Sequence, residues 1–359
     1  MAKNEPLTWE DAKALQAMPL DEKVGLTTWG KIYEWTQAWD GNVYVSFSGG
    51  KDSTVLSYLV CKLFSEAATM PKTVQLAFSD TGLEYPEIRK FVKFFALKWL
   101  PQRFPSLEID LQILRPKMRF DNVIQAYGYP IISKKISKAI HQAKRNPNGY
   151  RAKCLRGTYL NKNGDKSIFN CEKWAFLLDA PFDVGDNCCM VMKKSPIDRY
   201  GTVSKKVPIT ATMADEGLQR LFSWMKTGCN AYESRNHISK PMSFWTEQDV
   251  LRYIQREGIP ICSVYGDIVS SDGENDYDQT LIPMPLHCTG CKRTGCIFCG
   301  YGAHLEKHPN RFERLKETHP AQYRYCIGGG AFDPADGLWK PDEHGLGMAR
   351  VLDFIGVSY

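Results

Sequence analysis

"VYVSFSGGKDSTVLSYLV", residues 43–60, is the stretch on which the fold turns. An apolar run from Val43 to Phe47 leads into Ser48-Gly49-Gly50-Lys51-Asp52-Ser53, and a helical pattern follows at once. A glycine-rich loop between a strand and a helix is an anion cradle. Glycines let the backbone come close, and successive amides at the helix N-terminus face the negative charge. Ser48 and Ser53 add hydroxyl donors, Lys51 a movable cation, and Asp52 a group able to fix the loop or a metal. A helix terminus contributes only about 0.3–1 kcal/mol per anion, so the amides and the lysine must supply most of the binding. The loop is not G-x-x-x-x-G-K-S/T, because Asp52 follows Gly50-Lys51 and no glycine stands five positions before Gly50. Nor is it G-x-G-x-x-G.

Outward from the loop, helix 53–65 is followed by a β-like run, "TVQLAFSD" (73–80), and by the helical "PEIRKFVKFFALKWL" (86–100). A third run, "LEIDLQIL" (107–114), precedes "RPKMRFDNVIQAYG". Strands alternating with helices at this spacing form βαβ units. The expected class is therefore α/β: a doubly wound, mainly parallel sheet with helices on both faces. Ligands in such sheets bind at the carboxyl ends of the strands, so loops 48–53 and 80–85 are expected to face one crevice.

The flanks add less regular pieces. Residues 7–39 read as two helices, with Ile32, Trp35 and Trp39 forming a core stripe at helical spacing. Between about 140 and 200 the pattern weakens, with "KRNPNG" and "NKNGDKS" as loop signals. Periodicity returns in 215–226 and in 246–258, where Thr246 is the expected N-cap with Asp249 at the reciprocating position. The expected organisation is an N-terminal helical segment (1–39), a nucleotide-binding α/β domain (40–266), an acidic linker or flap (267–285) and a cysteine-rich C-terminal region (286–359) packed on the crevice.

Composition sets outer limits. Hydrophobic residues make up 43% and charged residues 24%, as in ordinary globular chains. No apolar run approaches the 18 or so residues of a membrane span, and "MAKNEPLTWEDAKAL" has no signal-peptide core. A cytoplasmic location without membrane association is expected. The net charge of +6 suits an anionic substrate. From Ser133 to Arg156 there are eight Lys/Arg and no Asp or Glu, which is either a solvated helix face or a polyanion-facing surface. Twelve cysteines in a cytosolic chain argue for metal or reactive thiols, not structural disulfides.

Ser-Gly-Gly-x-Asp-Ser after a strand resembles, without a mismatch, the PP-loop signature of the adenine-nucleotide α-hydrolases. "FSDTGLEYPE" (78–87) looks like the Asp-Thr-Gly…Pro-Glu motif of the phosphoadenosine phosphosulfate (PAPS) reductase family. "GYPIISKK" (128–135) resembles its Gly-x-Pro-x-x-Ser-Lys element, and "KPMSFWTEQDVLRYI" (240–254) its tryptophan helix. "ATMADEGLQR" (211–220) stands where the family has a Gly…Glu-Ser-x-x-Arg element, departing at Ala211 and Gly217. The resemblance covers about 40–355 and implies a Rossmann-like PP-loop fold. It also implies that Ser48, Gly49, Gly50, Lys51, Asp52 and Ser53 hold phosphates, Lys51 and Asp52 being the catalytic pair. Asp80, Thr81 and Gly82 would sit beside the nucleotide, and Ser133, Lys134 and Arg220 would be further phosphate or sulfate contacts.

"NCCMVMKKSP" (187–196) resembles the Cys-Cys…Lys-x-x-Pro segment of the family's iron–sulfur branch, in which a distant Gly-Cys-x-x-Cys completes a 4Fe–4S cluster. The resemblance names Cys188, Cys189, Cys296 and Cys299. Cys288, Cys291, Cys296 and Cys299 form a rival set, able in spacing to hold zinc or a compact cluster. Cys61 and Cys262 lie in apolar patterns and read as core. Cys154, Cys171, Cys229 and Cys326 have no partner in sequence, and one of them is a candidate sulfur-carrying nucleophile.

Three functions fit. In the leading one, ATP with Mg2+ adenylates a nucleic-acid acceptor, DNA or tRNA held by 133–156, and a sulfur nucleophile then displaces AMP. In the second, a thiolate attacks adenylyl sulfate or PAPS and sulfite is released. Against that reading, the chain ends "GLGMARVLDFIGVSY" where such reductases carry Glu-Cys-Gly-Ile/Leu-His. Either enzyme implies a partner that donates sulfur or electrons, such as a cysteine desulfurase or a thioredoxin-like protein. A non-catalytic nucleotide- or redox-sensing partner is the third reading, which a degenerate loop would favour. Here the loop is intact.

Overall fold

In the computed structural model of the chain, residues 6–233, 237–270 and 284–359 are described. The apolar run becomes the strand Val43–Ser46, with Val43, Tyr44 and Val45 buried, because it lies inside a six-stranded sheet. In spatial order the strands are 108–114, 73–79, 43–46, 207–209, 238–239 and 230–231. Val45 stands opposite Leu76, and Val43 opposite Val207, both in parallel register. Strands Thr73–Ser79 and Glu108–Leu114 run parallel along their whole length. Only the short edge strand Asn230–Ala231 is antiparallel, to Ile238–Ser239.

The chain thus winds outward from 43–46 to 108–114 and then returns to the other side of 43–46 with 207–209. This is the doubly wound, mainly parallel α/β sheet expected from the βαβ pattern. Its order reverses at 43–46, and ligands of such sheets bind beside the reversal, at the strands' carboxyl ends. The glycine-rich loop leaves the sheet at that point.

By packing, the chain sorts into two compact units. One comprises 1–80, 84–114 and 197–294, the other 81–83, 115–196 and 295–359. The first unit holds the sheet and one continuous apolar core. Helix Lys51–Glu66 is enclosed on most of its surface, with Val55, Leu56, Leu59, Val60, Leu63 and Phe64 buried. The N-terminal helices Trp9–Ala17 and Leu20–Gly25 continue through a π-helical stretch, Leu26–Ile32, into Tyr33–Ala38. Ile32 and Trp35 are fully buried and Trp39 packs against them, as their spacing predicts. Lys23 Nζ lies 2.6 Å from Asp249 Oδ2, with both side chains almost excluded from solvent.

Asp249 also closes the box at the start of helix Glu247–Glu257. Its carboxylate accepts from Thr246 N at 2.7 Å, and Thr246 Oγ1 accepts from Asp249 N at 3.3 Å. Gly258 ends the helix in the left-handed conformation, φ 63°. The expected acidic linker, 267–285, lies mostly outside the described residues. Its flanks pair as an antiparallel ribbon, Ile268–Ser270 with Leu286–Cys288.

The second unit is largely helical: Phe120–Tyr127, Lys134–Arg145, Tyr150–Leu155, Arg311–Thr318, Pro320–Ile327 and Met348–Phe354. Phe120, Val123, Ile124, Ile140, Leu177, Phe182, Val351 and Leu352 are buried within it. Ile131–Ile132 pairs in parallel with Gly300–Tyr301, which joins the two sequence-distant halves of this unit.

Candidate functional site

Strand 43–46 and helix 51–66 hold the loop between them. Gly49 adopts φ +73°, and a Cβ placed there would stand 2.7 Å from Val92 Cγ2, so both conformation and space call for glycine. Ser53 Oγ accepts from Ser48 N at 3.1 Å and donates to the Gly50 carbonyl at 2.9 Å. Ser48 Oγ lies 3.0 Å from Ser53 Oγ and accepts from Gly50 N at 3.3 Å. The two serines therefore staple the loop across its own ends.

Lys51 is buried, and its ammonium is clasped by Glu247 Oε1 at 3.0 Å and by the Lys292 carbonyl at 3.2 Å. Burial alone would depress this ammonium, but Asp52 and Glu247 outweigh it, so the group is held firmly protonated. Burial pushes the Asp52 carboxyl up, opposed by Lys51, Arg293 and Arg220. Asp52 Oδ1 is buried with no hydrogen-bond partner. A buried carboxylate oxygen without a hydrogen-bond partner is chemically able to take a cation.

Other residues complete the surroundings. The Tyr265 hydroxyl accepts from Lys51 N at 3.3 Å and lies 2.7 Å from Thr294 Oγ1. Arg220, at the start of helix Leu218–Thr227, pairs with Glu216, and Arg293 approaches the same carboxylate at 3.7 Å. Burial and the nearby Arg293 both lower the Arg220 guanidinium. Sequence reasoning named Arg220 but missed Glu247, Tyr265, Arg293 and Thr294. The available signal was Lys292-Arg293, a cation pair set between two cysteine pairs.

Asp80, at the end of strand 73–79, is buried; its carboxylate accepts from Arg89 at 2.9 Å and its amide donates to the Leu114 carbonyl at 2.8 Å. Thr81 and Gly82 belong to the second unit, where Thr81 Oγ1 accepts from Leu83 N at 3.1 Å. Ser133 and Lys134 also lie in the second unit. Ser133 caps helix Lys134–Arg145, accepting from Ile136 N at 3.2 Å.

Lys134 belongs to the cysteine group. Pairing of 131–132 with 300–301 brings Cys299 beside the start of this helix. Cys188 Sγ lies 3.9 Å from Cys189 Sγ, and Cys296 and Cys299 are near enough to act on Cys188 electrostatically. The Cys189 thiol is pulled down to about 5 by the hydrogen bond from Cys188 and by Lys134 and Lys193, against the effect of burial. Arg311 donates to the Cys299 carbonyl at 2.8 Å. All four stand outside any disulfide, and among the described residues no three His, Cys, Asp or Glu side chains are gathered closely enough to hold a metal ion.

The rival set is divided. Cys288 and Cys291 belong to the first unit and Cys296 and Cys299 to the second. Burial raises Cys288, and its charged neighbours are Lys51, Glu247 and Asp52. Cys291 stands near Cys262. Cys61 and Cys262 are core residues as expected, and Cys154, Cys229 and Cys326 are buried too, leaving Cys171 half-buried.

Residues 42–143 match the family model described as the phosphoadenosine phosphosulfate reductase domain. A stretch of 109 residues is 32% identical to an uncharacterised protein of Methanocaldococcus jannaschii, covering 30% of this chain and 23% of that protein. The chain therefore matches less than a quarter of that relative's length. A crystal structure of phosphoadenylyl-sulfate (PAPS) reductase from Candida auris, in a phosphate complex, is similar at a TM-score of 0.35 and 14% identity, over 78% of this chain and 100% of that one. Residues 42–143 thus carry a PAPS reductase-type domain of the PP-loop kind, and the strand–loop–helix that starts at 43 lies inside it, at the reversal of the doubly wound sheet.

Proposed function

We propose that the protein is an enzyme that activates a nucleic-acid acceptor with ATP and then delivers sulfur to the activated position. The observation that carries this reading is the undegraded loop Ser48–Ser53, with a buried, protonated Lys51 beside an unpartnered Asp52 oxygen. Lys51, the loop amides and Arg220 bind the β- and γ-phosphates, and Asp52 holds a Mg2+ that accompanies them. An acceptor oxygen attacks the α-phosphorus and loses its proton to solvent. The bond to the bridging β-oxygen breaks, and pyrophosphate leaves with the electron pair. The outer sulfur of a persulfide donor then attacks the activated centre, AMP departs, and a dithiol reductant supplies the two electrons that cleave the S–S bond.

The acceptor surface is assigned to helix Lys134–Arg145 and its neighbour Tyr150–Leu155, where Lys135, Lys138, Arg145, Lys153 and Arg156 are exposed. Cys188, Cys189, Cys296 and Cys299 are the proposed ligands of a 4Fe–4S cluster. The donor chemistry is that of such a cluster, four thiols in a cationic setting of Lys134, Lys193 and Arg311 with one driven toward thiolate. Binding would have to draw the four together, since as they stand they are not gathered to metal-holding distance. Such a cluster, when bound, supplies electron transfer or a site for labile sulfur.

A second reading is favoured by the matched domain's own description. There a cysteine thiolate attacks the sulfur of adenylyl sulfate or PAPS, the nucleotide leaves, and a dithiol reduces the S-sulfocysteine to release sulfite. Product analysis on anaerobically purified protein separates the two. Pyrophosphate and AMP from ATP, increased by added DNA or tRNA, are expected. Sulfite from the sulfonucleotide with ATP inert would establish the reductase, and neither product would leave a nucleotide-sensing role. Lys51→Ala and Asp52→Ala are expected to lower turnover by more than about a hundredfold with the fold retained; wild-type turnover in either would overturn the assignment of the loop.

A further inference from the structure

Three consecutive residues outside every phosphate-loop motif reach the loop's surroundings, the first directly and the other two through Glu216 and Tyr265. The Lys292 carbonyl accepts from Lys51 Nζ at 3.2 Å, Arg293 Nη1 stands 3.7 Å from the carboxylate of Glu216, and Thr294 Oγ1 is 2.7 Å from the Tyr265 hydroxyl. That hydroxyl in turn accepts from Lys51 N at 3.3 Å, and a Cβ added at Gly50 would meet it at 3.2 Å. The first amide of a 16-residue helix, the group best placed for an anion, is thus engaged by the chain's own oxygen. Tyr265 is almost wholly buried, so this is a built contact.

The charges around it are arranged for exchange. Glu216 is shared by Arg220 and Arg293, so two guanidinium groups rest on one carboxylate. Arg220 is the helical neighbour of Glu216 at i,i+4, with a side chain 45% exposed; that of Arg293 is 69% exposed and can turn. Asp52, with its unpartnered buried oxygen, feels both arginines.

We infer that Arg293 binds the terminal phosphates of a nucleoside triphosphate, and that the Tyr265 hydroxyl holds the place of a phosphate oxygen until the nucleotide arrives. This inference rests on the ATP reading above and sharpens it. Lys51, Arg220 and Arg293 are each held by a carboxylate of the chain, Glu247 or Glu216, and a triphosphate, with more anionic oxygens than a phosphosulfate, can take over more of these cations at once. The segment Lys292–Thr294 is then a specificity element that favours a polyphosphate tail over a sulfate.

The test is calorimetric titration of the full-length protein with ATP, AMP and adenylyl sulfate at one salt concentration. Arg293→Ala is expected to weaken ATP about tenfold or more, and AMP by less than about twofold, with Arg293→Lys recovering part of the loss. Tyr265→Phe, which removes only the competing hydroxyl, is expected to tighten ATP. Unchanged ATP affinity in Arg293→Ala, or equal losses for ATP and AMP, overturns the role of Arg293. Weaker ATP binding by Tyr265→Phe overturns the place-holding role. Wild-type protein that binds adenylyl sulfate but not ATP overturns the ATP reading and this inference with it. Wild type that binds ATP as tightly as Arg293→Ala does overturns this inference alone.

Discussion

At the scale of single residues, Gly49 joins backbone to chemistry. Its φ of +73° disfavours any side chain, and a methyl group would press into Val92 and Ile88. Gly49→Ala is expected to cost about 1–3 kcal/mol in denaturant unfolding and to displace the loop. Gly82 has a similar φ of +76° but open space around it, so Gly82→Ala should cost less. Equal losses at the two positions would show that space around Gly49 is not what matters. The loop was legible in sequence because its residues are consecutive and each type does something the cradle needs. Tyr265 was not, since it reaches Lys51 across 214 positions and no local pattern announces such a contact. Glu247 was hidden differently. It sits inside a segment whose apolar face explains itself, so its hold on Lys51 went unseen.

At the scale of elements, the capping box was read from Thr246 and Asp249 and is present with both bonds. Thr246→Ala is expected to lower stability by about 1 kcal/mol while Thr246→Ser stays within a few tenths, both read by urea unfolding. Strands of four to seven residues announced themselves by apolar runs. Strands 207–209, 230–231 and 238–239 did not, because two or three residues leave no period to detect. Helix Lys134–Arg145 was legible only as one of two readings of a run of charge. Its buried face, Ile136, Ala139, Ile140 and Ala143, recurs at helical spacing and leaves the lysines outward. That arrangement also tests the proposed acceptor. Changing Lys135, Lys138 and Arg145 together to alanine should weaken DNA or tRNA binding and lower the salt-dependence slope by about 2–3. An unaltered slope would make this a solvated face only.

At the scale of the molecule, the Lys23–Asp249 pair connects the N-terminal helices to the tryptophan helix. Removing one partner of a pair this well buried leaves a charge uncompensated. Lys23→Ala is accordingly expected to lower stability by about 3 kcal/mol or more, and Lys23→Met with Asp249→Asn to recover part of it. A cost under about 1 kcal/mol would mean that water reaches Asp249. The proposed cluster makes a further prediction for the whole chain: anaerobic protein should hold about four iron atoms, lost on replacing Cys189 or Cys296 by serine while ATP binding persists. Zinc in place of iron would overturn it. The buried lysine bears finally on how the protein can be cut. The family match begins at residue 42, and a laboratory seeking a minimal nucleotide-binding fragment would start its clone there. Such a fragment would strip Ile32 and Trp35 from the core and strand Asp249 without its cation, so it should be recovered as aggregate. Any usable truncation has to keep the chain from helix Leu20–Gly25, which carries Lys23, onward.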